Sequence, residues 1–105
     1  MAVKTYNKLV RDKIPEIIVS DGKTPLCETA DNEEILELLA VKLTEEAAEY
    51  IESREVEELA DVLEVIHGIL MHRGIALEEL EKIRQKKYDE RGGFEKGIKL
   101  IRVEE

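Results

Sequence analysis

Between Lys42 and Asp61 the chain carries Glu45, Glu46 and Glu49, then, after a short polar break, Glu57, Glu58 and Asp61. Set on helices turning about 100° per residue, these acids divide by orientation. In the first segment Leu36, Leu39, Leu43, Ala47 and Tyr50 form one stripe, with Glu46 on its flank and Glu49 just beyond. In the second, Leu59, Val62, Leu63, Val65, Ile66, Ile69 and Leu70 form the stripe; Glu58 falls inside it and Asp61 borders it. Glu45, Glu57 and Glu64 turn outward and read as solvated charges. A charge in a core-facing stripe is costly unless it is paired or bound to a metal. Packed antiparallel, the two segments would gather Glu46, Glu49, Glu58 and Asp61 into one cluster. No cation nearby in the sequence is read as neutralising it, so a divalent cation is expected there. Carboxylate oxygens are hard donors that suit Mg²⁺ or Mn²⁺, and such ions commonly bridge carboxylates to substrate phosphates.

A second metal pattern reads less well. Glu64-Val-Ile-His67 has the Glu-x-x-His spacing of carboxylate di-iron bundles, which need two such motifs; this chain has one, off the stripe that carries Glu58. His67 and His72 therefore read as surface or interface residues.

The elements that must position the acids follow from local signals. Asp31-Asn32-Glu33-Glu34 is a helix start, with Asp31 as N-cap and Glu34 three residues on. That helix is predicted to run to about Ser53. The next is predicted from Arg54 or Glu55 to just before Gly74, the short break making the two antiparallel neighbours. A third is predicted from Ala76 or Leu77 to about Glu90, with a thin stripe of Leu77, Leu80, Ile83 and Tyr88, ended by Gly92-Gly93. Upstream, Asp12 is read as the cap of a short helix carrying Ile14, Ile17 and Ile18, followed by a turn at Ser20–Lys23 and an extended stretch at 24–30. The partial alternation of residues 98–103 predicts a short strand, pairing with residues 24–29 as a terminal β-ribbon laid against the helices. Phe94 is placed in the core.

The fold class expected is thus all-α: a helical bundle in one domain over 1–105, with that small ribbon. Few aromatics (4%) and no Trp favour helices over a β-sandwich. A core of this size is modest, and the second helix is apolar over more than one seam, so a homo-oligomer, dimer or tetramer, is expected to complete the bundle. A net charge of −9 argues against a nucleic-acid-coating surface and makes metal ions necessary for an anionic substrate. One cysteine, Cys27, excludes an intrachain disulfide. No apolar run has signal-peptide or membrane-span length, so a soluble, cytoplasmic protein with no membrane partner is expected.

The acidic pattern Glu45-Glu46-x-x-Glu49 followed by Glu58-x-x-Asp61 resembles the signature of the MazG-type all-α nucleoside triphosphate pyrophosphohydrolases. The opening Tyr6-Asn7-Lys8-Leu9-Val10-Arg11-Asp12-Lys13-Ile14-Pro15 and the closing Lys87-x-x-x-Arg91-Gly92-Gly93-Phe94 are similar to a phosphoribosyl-ATP pyrophosphohydrolase-like subgroup. The three segments in this order run from residue 6 to about 100; the acidic pairs lie closer together than in longer relatives, implying a minimal inter-helix turn. The resemblance implies cleavage of a nucleoside triphosphate between the α- and β-phosphates, giving a nucleoside monophosphate and pyrophosphate. It implies Mg²⁺ held by Glu46, Glu49, Glu58 and Asp61, with Glu45 helping to orient the attacking water. Lys8, Arg11, Lys87 and Arg91 stand in the matching segments as cations for phosphate, Arg as a bidentate fork and Lys as a point charge. Asn7 is a candidate reader of base or sugar. The expected role is house-cleaning of unwanted nucleotides. The alternatives are phosphoribosyl-ATP hydrolysis in histidine biosynthesis, and a non-catalytic helical regulator that binds nucleotide.

Overall fold

Asp31 starts the longest helix as its sequence context predicts. In the computed structural model, which describes residues 2–105, the Asp31 carboxylate accepts a hydrogen bond from the Glu34 backbone N–H at 2.9 Å. Glu33 and Glu34 add negative charge where the helix dipole favours it. The helix then runs without Gly or Pro to Ser53. Among the described residues four helices result: α1 (Ile14–Ser20), α2 (Asn32–Ser53), α3 (Val56–Arg73) and α4 (Leu77–Arg91). The chain divides into two compact units, Met1–Gly74 and Ile75–Glu105, each described here by itself.

In the first unit α2 and α3 form the main helix–helix contact. Two residues join them. Arg54 takes the left-handed conformation (φ 60°, ψ 17°) and donates its backbone N–H to the Tyr50 carbonyl at 2.8 Å. Its side chain folds back, Nε to the Ile51 carbonyl at 2.7 Å, so two of the last carbonyls of α2 are satisfied. The Ser53 hydroxyl accepts the Glu55 N–H at 3.2 Å. A hinge this short forces the helices to return antiparallel. Gly74 (φ 67°) closes α3 with its N–H on Met71, and His72 and Arg73 stand in the last turn, favourable to the dipole.

The register of this hairpin is fixed along its length. A Cβ on Gly68 would lie 3.2 Å from Leu39 Cδ2, so a bare backbone there lets α3 approach the Leu39 side chain. Near the open end, His72 Nδ1 and Asn32 Oδ1 meet at 3.2 Å. The core is small. Leu39, Val65 and Leu70 are buried, while Val41, Ile51, Leu59, Leu63 and Met71 are exposed. Of the stripes read from the sequence, Leu39, Val65 and Leu70 are thus buried, while Ala47, Leu59 and Leu63, placed on the same stripes, are exposed.

α1 differs from its reading at the start. Its N-cap is Lys13, with no side-chain cap bond, so Asp12 does not cap it. Pro15 in the first turn begins it instead, its fixed φ suiting a helix and its missing N–H needing no partner. The turn after it forms as expected, with Gly22 at φ 78°.

In the second unit, α4 presents Leu77, Ile83 and Tyr88 largely to solvent. Its C-cap, Gly92, has φ 80°, and the Tyr88 hydroxyl donates to Glu95 Oε1 at 2.9 Å beyond it. Two expectations fail here. Phe94 is 98% exposed rather than in the core, because it opens a tight turn closed by the Gly97 N–H on its carbonyl at 3.1 Å. The terminal β-ribbon is not formed: residues 24–29 and 98–103 contain no strand. A two-stranded ribbon gains too little from one ladder to form without an apolar face to cover, and Ile98, Leu100, Ile101 and Val103 are exposed. Among the described residues the architecture is all-α, and no helix is long and apolar enough to cross a membrane.

Candidate metal centre

The hairpin register brings the four acids together. Glu46 and Asp61 each stand three residues further from the hinge than Glu49 and Glu58, and Leu39 and Gly68 each seven further again, so the three pairs share one register. Antiparallel helices place such residues level with each other. Within each helix the two acids are three residues apart, so they share a face and lie about 4.5 Å apart along the axis. One carboxylate oxygen from each of Glu46, Glu49, Glu58 and Asp61 lies within 4.8 Å of all the others. These are the four residues that the sequence singled out.

Burial across the cluster is uneven. The Glu46 side chain is 12% exposed, Asp61 41%. The Glu46 carboxyl is held above the usual carboxylate range, first by its burial and then by a hydrogen bond with Glu49; the Glu49 and Asp61 charges push the same way and Lys42 opposes them. Two carboxylates that close repel each other, and a cation between them would relieve that repulsion.

Contrary to the expectation that no cation neutralises the cluster, two stand beside it. Lys42 Nζ lies 3.6 Å from Glu46 Oε1, and Arg11 Nη2 donates to Asp61 Oδ1 at 2.7 Å. Lys42 was legible: it stands four residues before Glu46 on the same helix, the spacing at which side chains meet. Arg11 was not legible as an Asp61 partner, since 50 residues separate the two. Four carboxylates against these two cations leave about two negative charges, which one divalent ion would neutralise.

The donor set fits such an ion. Four hard oxygens suit Mg²⁺ or Mn²⁺. An Mg–O bond of about 2.1 Å spans about 4.2 Å between opposite ligands. A separation of up to 4.8 Å is slightly open for one ion and is also compatible with a pair of bridged ions.

Glu45 is set apart from the four. It bridges Lys42 at 3.6 Å and Lys8 at 3.4 Å, with its side chain 36% exposed, so it is less outward than the wheel places it. Lys42 first and Lys8 second hold its carboxyl below the usual range, which keeps it charged. Lys8 arrives from the segment before α1, with Asn7 beside it in the left-handed conformation (φ 48°), tolerated by Asn better than by most residues. Tyr6, Asn7 and Lys8 line an open groove with Val41, Thr44 and Glu45. The structure thus brings Asn7, Lys8 and Arg11 to the acidic end of the α2–α3 hairpin. Lys87 and Arg91 lie on α4 in the second unit, both exposed. Glu57, Glu64 and His67 are exposed, and Glu64 and His67 are not part of the four-acid cluster.

No family model matches the chain. An uncharacterized protein of Mycolicibacterium smegmatis is 48% identical over 42 residues, which are 40% of this chain and 43% of that protein, so the match spans less than half of the relative's length. No solved structure matches.

Proposed function

We propose that the chain is a Mg²⁺-dependent nucleotide pyrophosphohydrolase of the MazG-like type, cleaving a nucleoside triphosphate between its α- and β-phosphates. The observation that carries this reading is the convergence of Glu46, Glu49, Glu58 and Asp61 from two helices, with Arg11 and Lys8 beside them. A metal held there would neutralise phosphate charge and lower the pKa of a bound water. The chain's own residues do the rest. Glu46 would bind the ion as a carboxylate, the form that Lys42 favours and that its burial opposes. Arg11 can grip a phosphate through its guanidinium fork, and Lys8 adds a point charge. Glu45, kept ionised by two lysines, is an acceptor for a water proton. Asn7 and Tyr6 border the groove where a base or sugar would lie.

The apolar surface supports self-association. Leu59, Leu63, Val41 and Met71 remain exposed while three residues form the core, so a dimer or tetramer would supply the burial that one hairpin lacks. The Arg11–Asp61 pair favours one rival, a regulator that binds nucleotide without cleaving it, because the cluster is partly neutralised from within. The test is a panel of normal and damaged nucleoside triphosphates, with phosphoribosyl-ATP, scored for pyrophosphate against orthophosphate in Mg²⁺ or Mn²⁺. Pyrophosphate release supports the hydrolase, and the preferred substrate separates house-cleaning from histidine biosynthesis. No release across the panel refutes the hydrolase.

A further inference from the structure

Among the described residues, the segment before α1 has no regular structure, and its backbone makes no hydrogen bond to α2 or α3. Among the described residues, its side-chain hydrogen bonds and ion pairs to that hairpin are two: Lys8 to Glu45 at 3.4 Å and Arg11 to Asp61 at 2.7 Å. The second is the shorter, and it ends on one of the four acids that converge on a single point. Arg11 therefore occupies Asp61 where a cation ligand is wanted. Both side chains are half-exposed, 57% and 41%, so the pair is weak enough to be exchanged.

We propose that Arg11 is the resident counter-cation of the cluster: it holds Asp61 in the metal-free protein and is released from it when a divalent cation binds. The segment 2–13 is then a metal-responsive strap. An incoming ion repels the guanidinium at short range and competes for the same carboxylate, while Lys8, on Glu45, is spared because Glu45 lies outside the four. The release delivers a guanidinium to the place where an anionic ligand of the metal would arrive, so the order of events is metal first, anion second. This inference rests on the metal-site reading above, and the experiment separates the two.

Mn²⁺ affinity is measured directly on the full chain, at fixed ionic strength, for wild type, Arg11→Gln and Lys8→Gln. In parallel, solvent exchange of the Arg11 guanidinium protons is followed by NMR in wild type as Mg²⁺ is added. The expected result is Mn²⁺ binding about two- to fivefold tighter in Arg11→Gln, the range that an exposed ion pair can oppose. Lys8→Gln should change it by less, and Mg²⁺ should speed Arg11 proton exchange. Both residues are exposed, and circular dichroism checks that the variants fold. Equal Mn²⁺ affinity in wild type and Arg11→Gln, weaker binding in Arg11→Gln, an equal gain in Lys8→Gln, or Arg11 protons that stay protected in Mg²⁺ would each overturn the strap and leave the metal site standing. No Mn²⁺ binding by any of the three proteins would overturn the site itself.

Discussion

Replacing Glu46 by Gln should move stability and metal binding in opposite directions. Three carboxylate oxygens lie within 4.8 Å of Glu46 and Lys42 Nζ lies at 3.6 Å. In a water-like dielectric each of those like-charge pairs opposes folding by about 0.9 kcal/mol, and Lys42 returns about 1.2 kcal/mol. The balance is about 1.4 kcal/mol against the folded state, which salt and the exposure of the partners reduce to about 0.5–1 kcal/mol. Metal-free Glu46→Gln should therefore melt roughly 2–8 °C above wild type at neutral pH. The pH dependence has a definite sign. Burial, then Glu49, raises the Glu46 pKa in the fold, so just above the ordinary carboxylate range the native chain keeps a proton that the unfolded chain has lost. Wild-type stability falls as pH rises through that window, and the variant should lack this fall. Magnesium should reverse the ranking of gains. At ten times its dissociation constant it adds about 1.4 kcal/mol to wild type, and much less to the variant. Thermal unfolding in EDTA and across a Mg²⁺ series, at one protein concentration, reads both effects. A variant that melts below wild type in EDTA, or gains as much from Mg²⁺, would refute the argument.

Three further outcomes are expected. Glu58→Gln should abolish pyrophosphate release with helical circular dichroism unchanged; activity within a few-fold of wild type would remove Glu58 from the metal set. Gly68→Val should destabilise the hairpin by about 1–3 kcal/mol, since even a single carbon there lies 3.2 Å from Leu39 Cδ2, and urea unfolding measures it. Size-exclusion chromatography with light scattering should give a multiple of 12.0 kDa at micromolar concentration, with Leu63→Asp lowering it toward the monomer mass; a wild-type monomer would refute the proposed assembly.

How much of this was readable in advance depends on the range of each interaction. The helices were legible because their signals are local: Asp31 and Glu34 at one end of α2, a polar break at Arg54, Gly74 after α3. The four acids were legible because helical periodicity fixes which residues share a face, and a two-residue hinge fixes which levels meet across the pair. What one segment does to another was not. Nothing near Arg11 says that it reaches Asp61. The start of α1 was a misweighed local signal instead, since Pro15, three residues after Asp12, suits a first helical turn. The ribbon failed for the reason that hid the Arg11 contact: alternation at 98–103 is a local preference, but a strand needs a partner, which local pattern cannot supply.

Glu46 shows why the acids themselves could be trusted further than the ribbon. In a water-exposed helix a glutamate at that position would cost nothing and mean nothing. On α2 it is 12% exposed, beside Glu49 and level with Asp61, in an arrangement that raises its own pKa. Lys42 and Arg11 reduce the mutual repulsion but do not cancel it. If Glu46 served only to pack the hairpin, an apolar residue at its position would serve it better, since even well-paired buried charges rarely improve on one. An ion that binds the folded hairpin and not the unfolded chain turns that local loss into a gain, and this is the physical reason for reading the four as ligands rather than as four separate surface charges.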